Sequence, residues 1–198
     1  MPLTRLNAYL AELPGGLVAH PSCQRKAVQY RQLLTDTPKL VELAAELPSV
    51  LAQLLQHPLP VSAFLPTVHE NALYLAARDL FFPTDEAFVE AMHRISRQLM
   101  QGPLYRIMMT LLSPSMIVRG AASRFGAFNR GTTLETEAVS AHHARAVLTS
   151  PAHLYTPLLA EGWAATFQAA VEASGGRDTH FAVVEHTVTR AVFEGRWR

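Results

Sequence analysis

Residues 132–149 read TTLETEAVSAHHARAVLT, and residues 179–197 read THFAVVEHTVTRAVFEGRW. These two stretches decide the fold, because apolar and polar side chains alternate in short runs on either side of a turn. In the last run, Ala191 and Phe193 alternate with Arg190 and Glu194, which is the period of a half-buried strand. The strands are predicted at 132–140, 144–149, 179–186 and 188–197.

A helix is predicted between the two pairs of strands. Over residues 157–174, Trp163, Phe167 and Ala170 share one face, and Gly175 follows as a helix-ending residue. The order ββαββ predicts a four-stranded antiparallel sheet with a helix across one face.

The sequence before Gly126 is helical in character. Prolines there precede apolar runs at positions that suit the first turn of a helix, and Thr67 with Glu70 matches a capping box. About eight helices are predicted, at 3–12, 22–35, 38–46, 48–56, 67–81, 85–101, 103–112 and 114–125. The fold class is therefore α+β, with this N-terminal helical region followed by the ββαββ unit.

The length fits one domain spanning residues 1–198. The proline-rich segment at 57–60 divides the prediction into a helical N-terminal cap, 1–58, and a body, 59–198, that carries more helices and the sheet.

Composition excludes several classes of protein. An apolar share of 49% and a charged share of 17% are those of a globular chain. The net charge of +1 argues against a nucleic-acid-binding protein, and no stretch is long and apolar enough to span a membrane. The single cysteine, Cys23, fits a reducing compartment, and we expect a cytoplasmic protein.

Two polar residues fall inside the apolar arc of the helix predicted at 67–81. His69 and Asp79 lie near opposite ends, about 15 Å apart along the axis, so they cannot pair with each other. Each is a candidate pocket residue. The alternative is structural, with a hydrogen-bonded His69 and an Asp79 ion pair.

The next two helices supply five more ligand-binding candidates. His93 and Arg97 are four residues apart, away from the core stripe, where they could bind an anion or form a solvated face. The run at 104–112 is apolar nearly all round, and it contributes Tyr105, Arg106 and Met109. The methionines of this part of the chain could line an adaptable apolar cavity or simply fill the core; they are Met92, Met100, Met108, Met109 and Met116.

Arg119, Arg124 and Arg130 form a candidate anion patch near the change from helix to sheet. No phosphate-loop, GxSxG, HExxH or CxxC pattern is present, so we assign no metal site and no catalytic residue.

Three segments resemble a family of myxobacterial paralogues of about this length, from which no activity carries over. They are 65–73 (LPTVHENAL), 102–106 (GPLYR) and 124–132 (RFGAFNRGT). The layout of helices before ββαββ also looks like the haem–nitric-oxide-binding sensor domains and the vinyl-reductase-like small-molecule-binding domains. The haem sensors carry a Tyr-x-Ser-x-Arg motif against the propionates, and this chain lacks it. Haem is therefore disfavoured, and no cofactor is expected.

Three functions remain open. The first is a non-enzymatic sensory or regulatory domain that binds a small apolar or amphipathic molecule between helices and sheet. The second is a protein-interaction module or homodimer without a ligand. The third is an acid–base enzyme that uses a pocket histidine. We rank them in that order.

Overall fold

The computed structural model describes residues 3–102, 105 and 111–198. The chain divides into two compact units, Met1–Phe88 and Val89–Arg198. The single domain predicted over residues 1–198 stays a prediction.

The N-terminal unit is built around one helix, α5, on which α1, α2 and α4 pack. Most of the α5 side chains are buried, and near the centre of the helix the buried side chains extend all round it. The elements of this unit are α1 (Thr4–Glu12), β1 (Gln24–Lys26), α2 (Val28–Asp36), α3 (Lys39–Glu42), α4 (Ser49–Gln56), β2 (Phe64–Pro66) and α5 (Thr67–Phe81), with 3₁₀ turns at Gly16–Val18 and Ala44–Glu46.

Two of the predicted helices differ in the structure. The helix predicted at 22–35 begins only at Val28, because Gln24–Lys26 pairs as an antiparallel strand with Phe64–Pro66. The helix predicted at 38–46 is interrupted at Leu43 and continues as a 3₁₀ turn. In the first case, pairing between distant segments overrides local helix propensity.

The capping box predicted at Thr67 and Glu70 is replaced by a buried ion pair. No side chain caps α5, whose N-cap residue is Pro66. Glu70 is instead fully buried, with a carboxylate oxygen 3.2 Å from the guanidinium of Arg25 on β1. The pair links β1 to the first turn of α5.

The C-terminal unit begins within α6, which runs over Asp85–Gln101. The later elements are α7 (Pro114–Phe125), β3 (Asn129–Arg130), β4 (Thr133–Ser140), β5 (His143–Thr149), α8 (Pro157–Ala173), β6 (His180–His186) and β7 (Arg190–Arg196). The helix predicted at 103–112 lies almost entirely outside the described residues.

The predicted ββαββ sheet is confirmed. Its strand order is β4-β5-β7-β6, and each neighbouring pair is antiparallel. Helix α8 packs on β6 and β7, while α7 packs on β4. A chain of aromatic rings, formed by Tyr155, Trp163, Phe167, Phe181, Phe193 and Trp197, joins α8 to the sheet. The fold is α+β, as predicted.

Polar contacts also hold α6 against α8. The buried hydroxyls of Ser96 and Thr166 lie 2.9 Å apart, and Thr166 also donates to the carbonyl of Gly162. Met92 on α6 packs over Gly162 of α8. Within the described residues, no helix is long and apolar enough to cross a membrane.

Candidate functional site

A cleft of about 260 Å³ opens between α6 and α8 in the C-terminal unit. Its apolar lining comes from one valine, two small α8 residues and the ring of Phe181 on β6. Its polar lining comes from four side chains on the two helices. In chain order the lining residues are Val89, Glu90, His93, Glu161, Ala164, Ala165, Gln168 and Phe181.

One side of the cleft is organised by a chain of polar contacts. His93 Nε2 lies 2.9 Å from Glu172 Oε2, and Gln168 Nε2 donates to Glu172 Oε1 at 3.0 Å. The Gln168 carbonyl oxygen in turn accepts from the Phe181 backbone N–H at 3.4 Å. His93 and Gln168 are therefore held in place by contacts that join α6, α8 and β6.

Two carboxylates face the cleft without such support. Among the described residues, no hydrogen bond or ion pair joins Glu90 or Glu161 to another side chain. Both residues are exposed, and partial desolvation raises the pKa of the Glu161 carboxyl above its usual value. The described residues contain no group of three His, Cys, Asp or Glu side chains able to hold a metal ion. The cleft therefore presents negative charge spread over its rim rather than gathered at one point.

A smaller, mostly apolar cavity of about 60 Å³ lies between α7, α8 and the sheet. Phe181 lines this cavity as well as the cleft. A cavity of this size is well below the roughly 300–1,000 Å³ of typical ligand pockets. The apolar ligand pocket predicted between the helices 67–112 and the sheet lies partly outside the described residues and stays a prediction.

The structure places the predicted α5 candidates in structural contacts of the N-terminal unit. His69 Nε2 lies 3.0 Å from the carbonyl oxygen of Leu17, and burial lowers the pKa of this imidazole. Asp79 accepts hydrogen bonds from the backbone N–H groups of Arg5 and Leu6, at 2.8 and 3.1 Å. Its carboxylate thereby caps α1, whose N-cap residue Leu3 offers no side-chain acceptor.

The ligand-binding candidates predicted on the next two helices lie in different surroundings. His93 lines the cleft, while Arg97 is exposed on the same helix. Tyr105 is buried with its ring against Phe128 at a centroid distance of 5.8 Å, and burial raises its pKa to about 12. Arg106 and Met109 lie outside the described residues.

The three arginines of the predicted anion patch are exposed. Arg119 and Arg124 lie on α7, and Arg130 lies on β3. The guanidinium of Arg124 folds back over Gly120, where a Cβ atom would lie 2.0 Å from a terminal nitrogen. No bound anion tests the patch, which stays a prediction.

Of the polar residues that line the cleft, the sequence predicted His93 and not Glu90, Glu161 or Gln168. The partner of His93, Glu172, lies on α8 with Glu161 and Gln168 and was not predicted either. Their spacing offers a weak signal, since Gln168 and Glu172 are four residues apart and share a helix face.

Comparison with known proteins identifies the fold. No protein-family model and no curated protein matches the sequence. Solved structures do match, at 6–9% sequence identity, and the three described next share 6–7%. A haem protein studied for porphyrin distortion has a TM-score of 0.61, covering 86% of this chain and 96% of that one. An oxygen-binding H-NOX domain related to soluble guanylate cyclases also scores 0.61, covering 86% and 92%. A point mutant of the T. tengcongensis H-NOX domain scores 0.56, covering 100% and 98%.

The prediction of no cofactor is wrong in the light of these matches, because the matching structures include haem-binding domains. The absence of a Tyr-x-Ser-x-Arg motif is only weak evidence against haem. At such low identity, a shared fold can keep its architecture while nearly every side chain differs.

Neither of the two cavities lined by described residues of the C-terminal unit fits a haem. The imidazole in the cleft is that of His93, and its Nε2 atom already contacts Glu172. Haem iron is held by an axial His, Cys, Met or Tyr in a pocket that encloses the macrocycle. We therefore assign no chemical step to haem in this chain.

The architectural resemblance expected from the sequence is confirmed: the chain has a fold similar to that of the haem–nitric-oxide-binding domains.

Proposed function

We propose that this chain is a non-enzymatic sensory domain that binds a small molecule. The observation that carries the proposal is the match in fold to H-NOX domains over most of both chains. Haem is the ligand to which that fold points. An amphipathic organic molecule is the ligand to which the mixed lining of the cleft points.

The cleft supports binding rather than catalysis. Its lining includes the acid–base groups Glu90, His93 and Glu161, but the imidazole that an acid–base enzyme would use is already paired. The His93 imidazole contacts a carboxylate of the chain itself, which holds the ring in one orientation. The cytoplasm remains our proposed location for the domain.

A titration of the purified chain with haem tests the first ligand. We expect an absorption band distinct from that of free haem, saturating at one haem per chain, with a rise in the melting temperature. Bound ligand stabilises the folded state by mass action, so the shift must grow with haem concentration. The His93→Gln variant is the control for non-specific binding of haem. Because the His93 imidazole already contacts Glu172, haem binding should not depend on it.

The proposal is contradicted if the chain binds neither haem nor any small molecule that co-purifies with it. The second candidate function, a homodimer, would then take its place. It is favoured by the exposed Val139 on edge strand β4 and Val184 on edge strand β6, each about half exposed. Light scattering of the purified chain would measure the mass of such a dimer.

A further inference from the structure

We propose that residues 17–26 form a strap on the first turn of α5 that opens as pH rises through neutrality, with Glu70 driving the opening and His69 limiting its pH range. The strap and α5 both belong to the N-terminal unit. The inference goes beyond the proposed ligand-binding function, because it gives the domain a second input that needs no ligand. The two proposals can therefore fail separately.

Two consecutive side chains of α5 fasten the strap near its two ends. His69 Nε2 lies 3.0 Å from the carbonyl oxygen of Leu17. A carboxylate oxygen of Glu70 lies 3.2 Å from the guanidinium of Arg25. Both of the side chains that fasten the strap can therefore gain or lose a proton.

The strap itself buries little apolar surface. Its buried residues are Ala19, Cys23 and Arg25, so none of its own large apolar side chains is buried. Its middle is held by a backbone hydrogen bond of 2.9 Å from the Thr67 N–H to the Cys23 carbonyl. His20 has a φ of 51°, in the left-handed region that residues other than glycine rarely adopt. A segment with few apolar contacts and a strained residue opens locally more easily than the core does.

Burial makes the charged form of Glu70 unfavourable while the strap is closed. The carboxyl is fully buried, and within the described residues neither of its oxygens accepts a hydrogen bond of normal geometry. The Arg25 guanidinium and the Tyr30 backbone N–H offset the burial only in part, so the pKa of Glu70 rises to about 7. The hydroxyls of Tyr30 and Tyr74 also act on it, and both keep their protons at neutral pH because burial raises the pKa of each.

The sign of the response follows from this burial. Once the strap is open, the Glu70 carboxyl meets water and regains its ordinary pKa of 4.5. Opening therefore releases a proton between about pH 4.5 and pH 7, and it is favoured as pH rises.

His69 acts with the opposite sign. Burial lowers the pKa of its imidazole below 6.5, and the Leu17 carbonyl offsets this only in part. No charged side chain contributes to the shift. Opening returns the imidazole to water, where it takes up a proton more readily, so this group favours opening as pH falls below 6.5.

The two groups together set where the strap responds. Below about pH 6.5 their effects oppose each other, so the opening equilibrium changes little. Above that pH the imidazole is neutral in both states, and Glu70 acts alone until its carboxyl is ionised in the closed state as well, above about pH 7. The response is therefore confined to the neutral range.

Alkylation of Cys23 by iodoacetamide measures the opening, because Cys23 is the only cysteine of the chain and is fully buried. Each rate is divided by the rate of the urea-unfolded chain at the same pH, which removes the pH dependence of the thiol itself. In the wild type this ratio should stay nearly constant from about pH 5 to 6.5 and rise about three- to fivefold by about pH 8.

Neutral substitutions separate the two groups. In His69→Gln the side chain can still donate to the Leu17 carbonyl but cannot titrate, so the ratio should rise about tenfold or more from about pH 5 to 8. In Glu70→Gln the ratio should fall as pH rises to about 6.5 and then stay constant. In the double variant it should not change with pH. Glu137→Gln, at an exposed position of β4, is the control and should follow the wild type.

Amide hydrogen exchange of the wild-type chain separates local opening from global unfolding. The Thr67 N–H, which donates to the Cys23 carbonyl, should exchange with the pH dependence of the thiol, while amides of the β5–β7 ladder stay more protected. The proposal is overturned if Cys23 reacts no faster than global unfolding allows, if the wild-type ratio does not rise above about pH 6.5, or if Glu70→Gln keeps the wild-type response. A chain that binds haem but has a strap indifferent to pH fails this proposal alone, and the proposed sensory function stands.

Discussion

The ring of Phe181 lies directly against the backbone of Gly195, its partner in the register of β6 and β7. A Cβ atom on Gly195 would lie 2.1 Å from Phe181 Cζ, far inside van der Waals contact. The ring is held from its other sides by Trp197, stacked at 6.5 Å, and by Phe167 at 6.2 Å. Because Phe181 lines both the α6–α8 cleft and the smaller apolar cavity, Gly195 sets the position of a wall that these two share.

Gly195→Ala should destabilise the chain by about 1–3 kcal/mol, since the ring of Phe181 has no free space into which it can move. Thermal unfolding followed by circular dichroism measures the loss. Gly126→Ala is the matched control, because nothing lies within 4 Å of a Cβ at that position. An effect of Gly195→Ala no larger than that of the control would show that Phe181 can relocate.

The hydroxyl pair between α6 and α8 predicts strong coupling between two substitutions. Thr166→Val leaves Ser96 buried without its partner and should cost about 1–3 kcal/mol. Ser96→Ala should cost about 1 kcal/mol, because Thr166 keeps its bond to the Gly162 carbonyl. The double variant should lose less than the sum of the two. Strict additivity in urea unfolding would contradict a direct interaction.

The cap that Asp79 provides to α1 predicts a graded response. Asp79→Ala removes the acceptor for two backbone N–H groups and should cost about 1–2 kcal/mol. Asp79→Asn keeps one acceptor oxygen and should recover part of that loss. Equal destabilisation by both variants, measured by urea unfolding, would mean that the negative charge matters more than the hydrogen bonds.

The buried carboxyl of Glu70 predicts a pH-dependent stability. Burial outweighs the nearby Arg25 and raises the pKa of Glu70 from 4.5 to about 7 in the folded chain. The folded state therefore binds more protons than the unfolded state between these values, so this group's contribution to stability falls as pH rises from about 4.5 to 7.

Urea unfolding between pH 4.5 and pH 8 measures this dependence. The slope contributed by Glu70 is at most about 1.4 kcal/mol per pH unit. His69, whose pKa is lowered, acts in the opposite direction, so the slope is taken as the difference between wild type and Glu70→Gln. The control is Glu137→Gln, at an exposed position of β4, which should keep the wild-type dependence of stability on pH. Identical curves for wild type and Glu70→Gln would refute the raised pKa.

The C-terminal sheet was predictable because its signals are local. Alternation within β4 to β7 marks each strand without reference to any other part of the chain. The strands β1 and β2 were missed because each has three residues, and the two pair with each other across some forty residues of sequence. Three residues are too few for a period to be read.

The candidate site was predictable only in part, for a related physical reason. The place of His93 off the apolar stripe of α6 follows from helix geometry alone. Its partner Glu172 is 79 residues away, and the contact exists only once α8 lies beside α6. Glu70 shows the same limit, since its sequence neighbours suggest a helix cap while Arg25 on a distant strand makes it part of a buried pair.

Native mass spectrometry of the protein purified from its own host, with an absorption spectrum of the same sample, tests the central claim most directly. A sensory domain that binds a small molecule predicts a co-purifying mass above that of the 21.8 kDa chain. A haem would also give a Soret band. A bare chain mass with no absorption beyond the protein's own, and no response to added haem, would contradict the account.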